Sequence, residues 1–299
     1  VISQRDILKK VRQVEIRTRR AVTETLVGNY HSVFRGQGID FEEMREYYPG
    51  DDIRAINWNI TARMDRPFVK IFREERELTM LLAVDVSASG SFGSVEKSKR
   101  EVAAELAAIL AFSALKSGDK VGLLLFTDKI ESYIAPRKGM QHVLRVVREI
   151  LFHQPQGKGT NRTAALDYVN HILPRRAMVF FISDYASERP IAEDSPEARM
   201  LSVTAARHDV VAADLSDPRD MTLPDVGVVM LEDPETGKRF EVNTDDWRFR
   251  KRYAEVAALD RKEWLKLIRK CNADYMDVGT EHDVVQALRV FMKRRAAAR

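Results

Sequence analysis

Leu81-Leu82-Ala83-Val84-Asp85-Val86-Ser87-Ala88-Ser89-Gly90 is an aliphatic run that stops on an acid and then offers two hydroxyls at alternate positions. A short apolar run rich in aliphatics reads as a buried strand, so Asp85, Ser87 and Ser89 fall where the chain leaves its sheet. Open α/β sheets bind their ligands at that edge. One carboxylate beside several neutral oxygens suits a hard divalent cation, Mg²⁺ first, with Mn²⁺ or Ca²⁺ as alternatives.

Outward from this run the pattern is regular. Strand-like apolar runs at Leu78–Val84, Val121–Phe126, Ile130–Ile134, Ala177–Ile182, Asp209–Ala213 and Ala273–Val278 alternate with amphipathic windows. Those windows predict helices over Val95–Lys116, Met140–Leu151, Ala164–Leu173, Pro196–His208, Asp246–Lys270 and Asp283–Arg294. Alternation of this kind predicts an α/β fold built on a doubly wound, mostly parallel sheet. The first helix carries Val102, Leu106, Ile109 and Leu110 on one face. Residues 226–243 break the rhythm: two short apolar runs flank Asp233-Pro234-Glu235-Thr236-Gly237-Lys238, which predicts an inserted or edge hairpin with a simple turn.

Upstream, residues 4–28 have helical spacing, and Gly28 is placed to stop the helix. The turn-rich Tyr48-Pro49-Gly50-Asp51-Asp52 then precedes Pro67-Phe68-Val69-Lys70-Ile71-Phe72-Arg73, whose alternation predicts a half-buried strand. Two domains are expected, a small helix-plus-β module over 1–77 and the main sheet domain over 78–299.

The chain has 299 residues, 44% hydrophobic and 31% charged, the composition of a globular protein. It holds no apolar run near the roughly 18–20 residues of a membrane span, and its charged start does not read as a secretory signal, so a cytoplasmic address is expected. A single cysteine, Cys271, excludes an internal disulfide and a Cys-cluster metal site, and core packing is its expected role. The formal charge is only +4, but Lys9, Lys10, Arg12, Arg17, Arg19 and Arg20 cluster at one end, as do Lys293, Arg294, Arg295 and Arg299 at the other. Such clusters attract phosphates, which keeps open an electrostatic reading as a nucleic-acid or anionic-membrane binder, with peripheral membrane association.

If Asp85 ends a strand of the sheet, further ligands belong at the ends of its spatial neighbours. Gln156-Gly157-Lys158-Gly159-Thr160-Asn161 offers a hydroxyl at a helix start, and Phe180-Phe181-Ile182-Ser183-Asp184 is another apolar strand ending on an acid. Thr160 alone also reads as a helix cap, in competition with Asn161, and Asp184 as a cap of the next segment. Together the pieces resemble the metal-ion-dependent adhesion site of von Willebrand factor A domains, D-x-S-x-S, then a Thr, then an Asp. The resemblance implies a metal set of Asp85, Ser87, Ser89, Thr160 and Asp184, with the first and fourth strands side by side so that Asp85 and Asp184 face one cation. It implies that such a cation takes an acid of another protein as its last ligand.

The segments Tyr30–Phe41 and Arg45–Trp58, with Ala62-Arg63 and Val69-Lys70, resemble the bacterial family known as domain of unknown function 58. That resemblance implies a partner, a MoxR-type AAA+ ATPase or its protein substrate, and an adaptor or co-chaperone role. Asn57 stands where many relatives have Asp. For Arg54, Trp58 and Arg63 internal packing and a binding role both stay open.

Catalytic readings lack their residues. A haloacid-dehalogenase-like phosphatase needs a second Asp two positions after the first, where this chain has Ser87. The glycines at 36–38 and 157–159 complete neither nucleotide-binding pattern, and no Gly-x-Ser-x-Gly occurs. Glu281-His282-Asp283 reads as a helix start rather than a metal site. A non-enzymatic, Mg²⁺-dependent protein-interaction module is therefore expected.

Overall fold

The computed structural model describes residue 30 and residues 40–64, 66–73, 77–185, 192–233 and 235–298, with backbone alone at 40–43 and 70–73. The helix expected over 4–28 and the N-terminal basic cluster lie outside the described residues. The chain divides into two compact units: Phe34–Leu78, and a larger one holding Thr79–Arg299 and Tyr30.

In the small unit β1 (Asp40–Glu46) pairs antiparallel with β2 (Phe68–Arg73), and α1 (Trp58–Met64) lies between them in sequence. The turn before α1 is tied by Arg45, whose two guanidinium nitrogens donate to both Asp51 oxygens at 2.8 Å. Gly50 supplies the positive φ of 115° that the turn requires. Trp58 is 65% exposed, so internal packing is not its role.

The larger unit is built on a six-stranded sheet. Its strands are β3 (Thr79–Asp85), β4 (Lys120–Phe126), β5 (Ile130–Arg137), β6 (Met178–Ser183), β7 (Asp209–Ser216) and, after the hairpin β8 (Val228–Glu232) and β9 (Arg239–Asn243), β10 (Asp274–Gly279). The spatial order is β10-β7-β6-β3-β4-β5, parallel throughout except that β5 runs antiparallel to β4. β5 continues to Arg137, beyond the expected end at Ile134. The hairpin pairs as a separate two-stranded sheet.

The first long helix, α2 (Lys99–Lys116), starts on a capping box in which Ser98 and Glu101 satisfy each other's backbone N–H groups. Only one buried face was expected of it, yet it is buried almost all round from Val102 to Ala114. Its alanines allow that. The helix packs on the sheet and against α3 (Met140–Phe152) and α8 (Val284–Ala298), and a helix apolar on every side belongs inside. On the opposite face of the sheet, α4 (Arg162–Ile172), α5 (Pro196–Arg207) and, after the short α6 (Pro218–Met221), α7 (Trp247–Lys270) cover Leu81, Ala83, Phe126, Val179 and Phe181, with α6 taking no part. Cys271 is buried in that layer, as expected, and accepts from the Ser202 hydroxyl at 3.1 Å.

The C-terminal basic cluster is partly internal. Arg295 is buried and pairs with Asp209 and, at 2.8 Å, with Asp274, while Arg294 donates to the Tyr275 carbonyl. Among the described residues no helix is long and apolar enough to cross a membrane.

Phe126 and Phe181 stack at 5.0 Å between ring centroids, joining the C-terminal ends of β4 and β6 across β3. Phe181→Ala should cost about 3–5 kcal/mol. A lowered urea midpoint with an unchanged m-value is the expected result.

Candidate metal centre

β3 and β6 are adjacent and in register, Val84 facing Ile182, so Asp85 and Asp184 leave the sheet at neighbouring points. The sheet order reverses between these two strands, β3 leading on to β4 on one side and β6 to β7 on the other, which makes this edge the switch point where open sheets open a crevice.

Asp85 is 6% exposed and bonded on both oxygens: Oδ1 accepts from the Ser87 N–H at 2.9 Å and Oδ2 from the Ser183 hydroxyl at 2.7 Å. The Ser87 contact folds the chain back over the strand end. It sets the Ser87 and Ser89 hydroxyls 3.0 Å apart. Burial, and the Asp184 carboxylate close by, push the Asp85 carboxyl up to about 6. Holding it ionised at pH 7 without added positive charge costs on the order of 3 kcal/mol.

The loop carrying Thr160 lies against this turn, for the Ala88 N–H donates to the Lys158 carbonyl at 3.1 Å. Asn161, not Thr160, caps α4, its side chain accepting from the Ala164 N–H at 2.9 Å. The Thr160 hydroxyl is thereby released from capping and donates instead to Glu235 Oε1 at 2.9 Å. The structure thus gathers Asp85, Ser87, Ser89 and Asp184 at one strand-end cluster and sets Thr160 on the adjoining loop, its hydroxyl turned to the hairpin.

Four groups around the site were not singled out by sequence. Lys99, 2% exposed, places its ammonium 3.2 Å from Asp184 Oδ2 and 2.8 Å from Asp220 Oδ2. Burial opposes its charge, but the two carboxylates prevail and hold its pKa above the ordinary value. A lysine in the first turn of a buried helix opposes the helix dipole, and that mismatch is the one local sign that acids must lie nearby. Ser183 supplies the second hydroxyl to Asp85. Asp217 holds the segment after Ser89, accepting from the Ser94 N–H at 2.9 Å, the Ser94 hydroxyl at 2.6 Å and the Thr280 hydroxyl at 2.8 Å. Glu131 anchors the Thr160 loop from β5, accepting from the Gly157 N–H at 2.7 Å and from the Thr127 hydroxyl at 2.8 Å. Gly157 is obligatory there, because a Cβ would sit 1.9 Å from Asp128 Oδ1 and 2.2 Å from Thr127 Oγ1.

The donors fit a hard divalent cation. They are all oxygens, hydroxyls outnumber carboxylates, and among the described residues no side chain forms an ion pair with Asp85, the Arg162 guanidinium that feels its charge being paired with Glu197. Among the described residues no three His, Cys, Asp or Glu side chains gather as metal ligands, so Ser87, Ser89 and Thr160 would have to supply much of such a shell. Asp283 behaves as the expected helix start, accepting from the Val285 N–H at 2.8 Å. Beside Asp184 a cavity of about 260 Å³ opens, lined also by Asp220, Tyr253, Arg261 and Trp264, and makes this edge concave.

Burial works against the Glu131 charge, yet the N–H groups of Gly157 and Gln156 and the Thr127 hydroxyl bring its carboxyl down to about 2. A depressed carboxyl stabilises the fold above its unfolded pKa, and that contribution is lost as pH falls toward the folded one. Glu131→Gln should therefore cost about 1–3 kcal/mol at pH 7. The gap to the parent protein should close between about pH 4.5 and pH 2 in urea titrations.

The family described as "Protein of unknown function DUF58" matches residues 43–263. An uncharacterized protein of Mycobacterium tuberculosis is 33% identical over 291 residues, covering 96% of this chain and 90% of that one. Among solved structures, an aerotolerance-related membrane protein from Bacteroides fragilis is similar with a TM-score of 0.48 at 14% identity, over 74% of this chain and 100% of that one. The VWA domain of SpRpn10 is similar with a TM-score of 0.37 at 11% identity, over 71% of this chain and 93% of that one. From the family match and the near full-length relative, the chain belongs to the DUF58 family of proteins of unknown function.

Proposed function

We propose that this protein is a non-enzymatic, cation-dependent protein-interaction module, holding Mg²⁺ through Ser87 and Ser89, with Asp85 and Asp184 acting directly or through water and Thr160 at the edge of the shell. The observation that carries this reading is the buried Asp85 carboxyl, bonded to Ser87 and Ser183 beside two paired hydroxyls and, among the described residues, with no ion pair of its own. When bound, the ion supplies an electrophilic position for a carboxylate of another protein. This chain's residues do the rest: Ser183 and the Ser87 N–H orient Asp85, and Lys99 keeps Asp184 and Asp220 partly neutralised. A donor set poor in charge leaves a cation demanding a further anionic ligand.

The partner proposed is a MoxR-type AAA+ ATPase or the protein that it remodels. Support for that identity is the family resemblance. The address proposed is the cytoplasm. A basic-patch reading loses one of its residues, because Arg295 is paired internally.

Immobilised protein should capture the native cell's MoxR-type ATPase in Mg²⁺ and lose at least tenfold of it in EDTA. Asp85→Ala, and Ser87→Ala combined with Ser89→Ala, should lose capture equally while keeping the parent circular dichroism spectrum. Capture that is unchanged in EDTA overturns the reading, and capture abolished by salt alone points to electrostatic binding.

A further inference from the structure

The β8–β9 hairpin does something at this site that a surface hairpin need not do. Its strands are short and largely exposed, with Val228, Met230 and Phe240 each more than half open to solvent. Its turn is nevertheless shaped by its own side chains. Asp233 Oδ1 accepts from the Glu235 N–H at 2.9 Å, Asp233 also accepts from the Thr236 hydroxyl, and Gly237 takes the positive φ of 69°. The result is directional: Glu235 accepts from the Thr160 hydroxyl at 2.9 Å.

That places the chain's own acid on the rim of the candidate cation site. Glu235 Oε2 also lies against Gly159, where a Cβ would be 3.7 Å away. The carboxylate is half-buried, and burial followed by the charges of Asp184 and Asp233 raises its pKa, with Thr160 and Arg162 acting in the other direction. The nearby cations are engaged: Arg162 pairs with Glu197 at 2.6 Å and Lys99 with Asp184 and Asp220. A hydroxyl has one proton and two lone pairs, so Thr160 is able to donate to Glu235 and still offer a lone pair to a cation.

We propose that Glu235 is a working part of the cation site, a carboxylate that the hairpin delivers to the rim at Thr160. It reaches a bound cation through water and stands where the acid of a partner protein would come. The hairpin therefore closes over the loaded site, and a partner's Asp or Glu takes the place of Glu235 by displacing it. This rests on the cation site proposed above.

The test uses the full chain and the metal alone. Mn²⁺ binding is read from the free-ion electron paramagnetic resonance signal, and hairpin motion from amide hydrogen exchange over residues 228–243 with and without Mg²⁺. The parent protein should bind Mn²⁺ and show slowed hairpin exchange on adding Mg²⁺. Glu235→Gln, which keeps the side chain's size and an acceptor for Thr160, should bind Mn²⁺ about tenfold more weakly, about 1.4 kcal/mol, and show no metal-induced slowing. Asp85→Ala should bind no Mn²⁺. If Glu235→Gln matches the parent in both readouts while Asp85→Ala fails to bind, the hairpin proposal is overturned and the cation site stands. If the parent itself binds no Mn²⁺, both fall.

Discussion

Everything at the C-terminal edge of the sheet follows from putting two carboxylates at the ends of adjacent parallel strands. β3 and β6 are buried on both faces, so Asp85 and Asp184 emerge from apolar runs into a place with little water. Like charges there repel, and the buried Asp85 carboxyl resists ionisation without compensation. The surroundings answer that repulsion piece by piece: hydroxyls and an N–H on Asp85, the Lys99 ammonium on Asp184 and, in the reading proposed, a divalent cation on the remaining oxygens.

Lys99 gives this site its particular character. Its single charge is shared between Asp184 and Asp220 and makes no contact that relieves Asp85. The Asp85 side of the site is therefore served by hydrogen bonds and by the field of Arg162, itself paired with Glu197, while the Asp184 side is already half neutralised. A cation bound on the Asp85 side meets two hydroxyls and few full charges, which leaves it strongly electrophilic. The same asymmetry explains why the neighbouring chain is so firmly tied, by Asp217 to Ser94 and by Glu131 to Gly157. A site made of hydroxyls on turns has no rigidity of its own, and the second layer of carboxylates provides it.

The strand ends were legible in the sequence because they depend on local pattern alone. Aliphatic runs ending at Asp85 and Ser183-Asp184 announce both the strands and the place where they stop, and Pro196 after Ser195 and Trp247 after Asp246 mark helix starts that the structure reproduces. The burial of α2 on all sides was less legible, since alanine is as common on exposed helices as on enclosed ones. Lys99, Glu131, Asp217 and Glu235 were not legible as site residues. Each makes its decisive contact across 26 to 123 positions of chain, and no periodicity encodes such a partner. Glu235 is the extreme case: in its own hexapeptide it is a turn residue, and only the path of the hairpin brings it to Thr160.

A divalent cation held between hydroxyls at the Asp85 edge, as proposed, is tested most directly by an occupied crystal structure. Crystals grown with millimolar Mn²⁺, measured at the manganese absorption edge, should show one strong anomalous peak in contact with the Ser87 and Ser89 hydroxyls. Asp85 and Asp184 should reach the same peak directly or through water, and the bond between the two serines should be broken. Data showing no peak there, with Ser87 and Ser89 still 3.0 Å apart, would contradict the account.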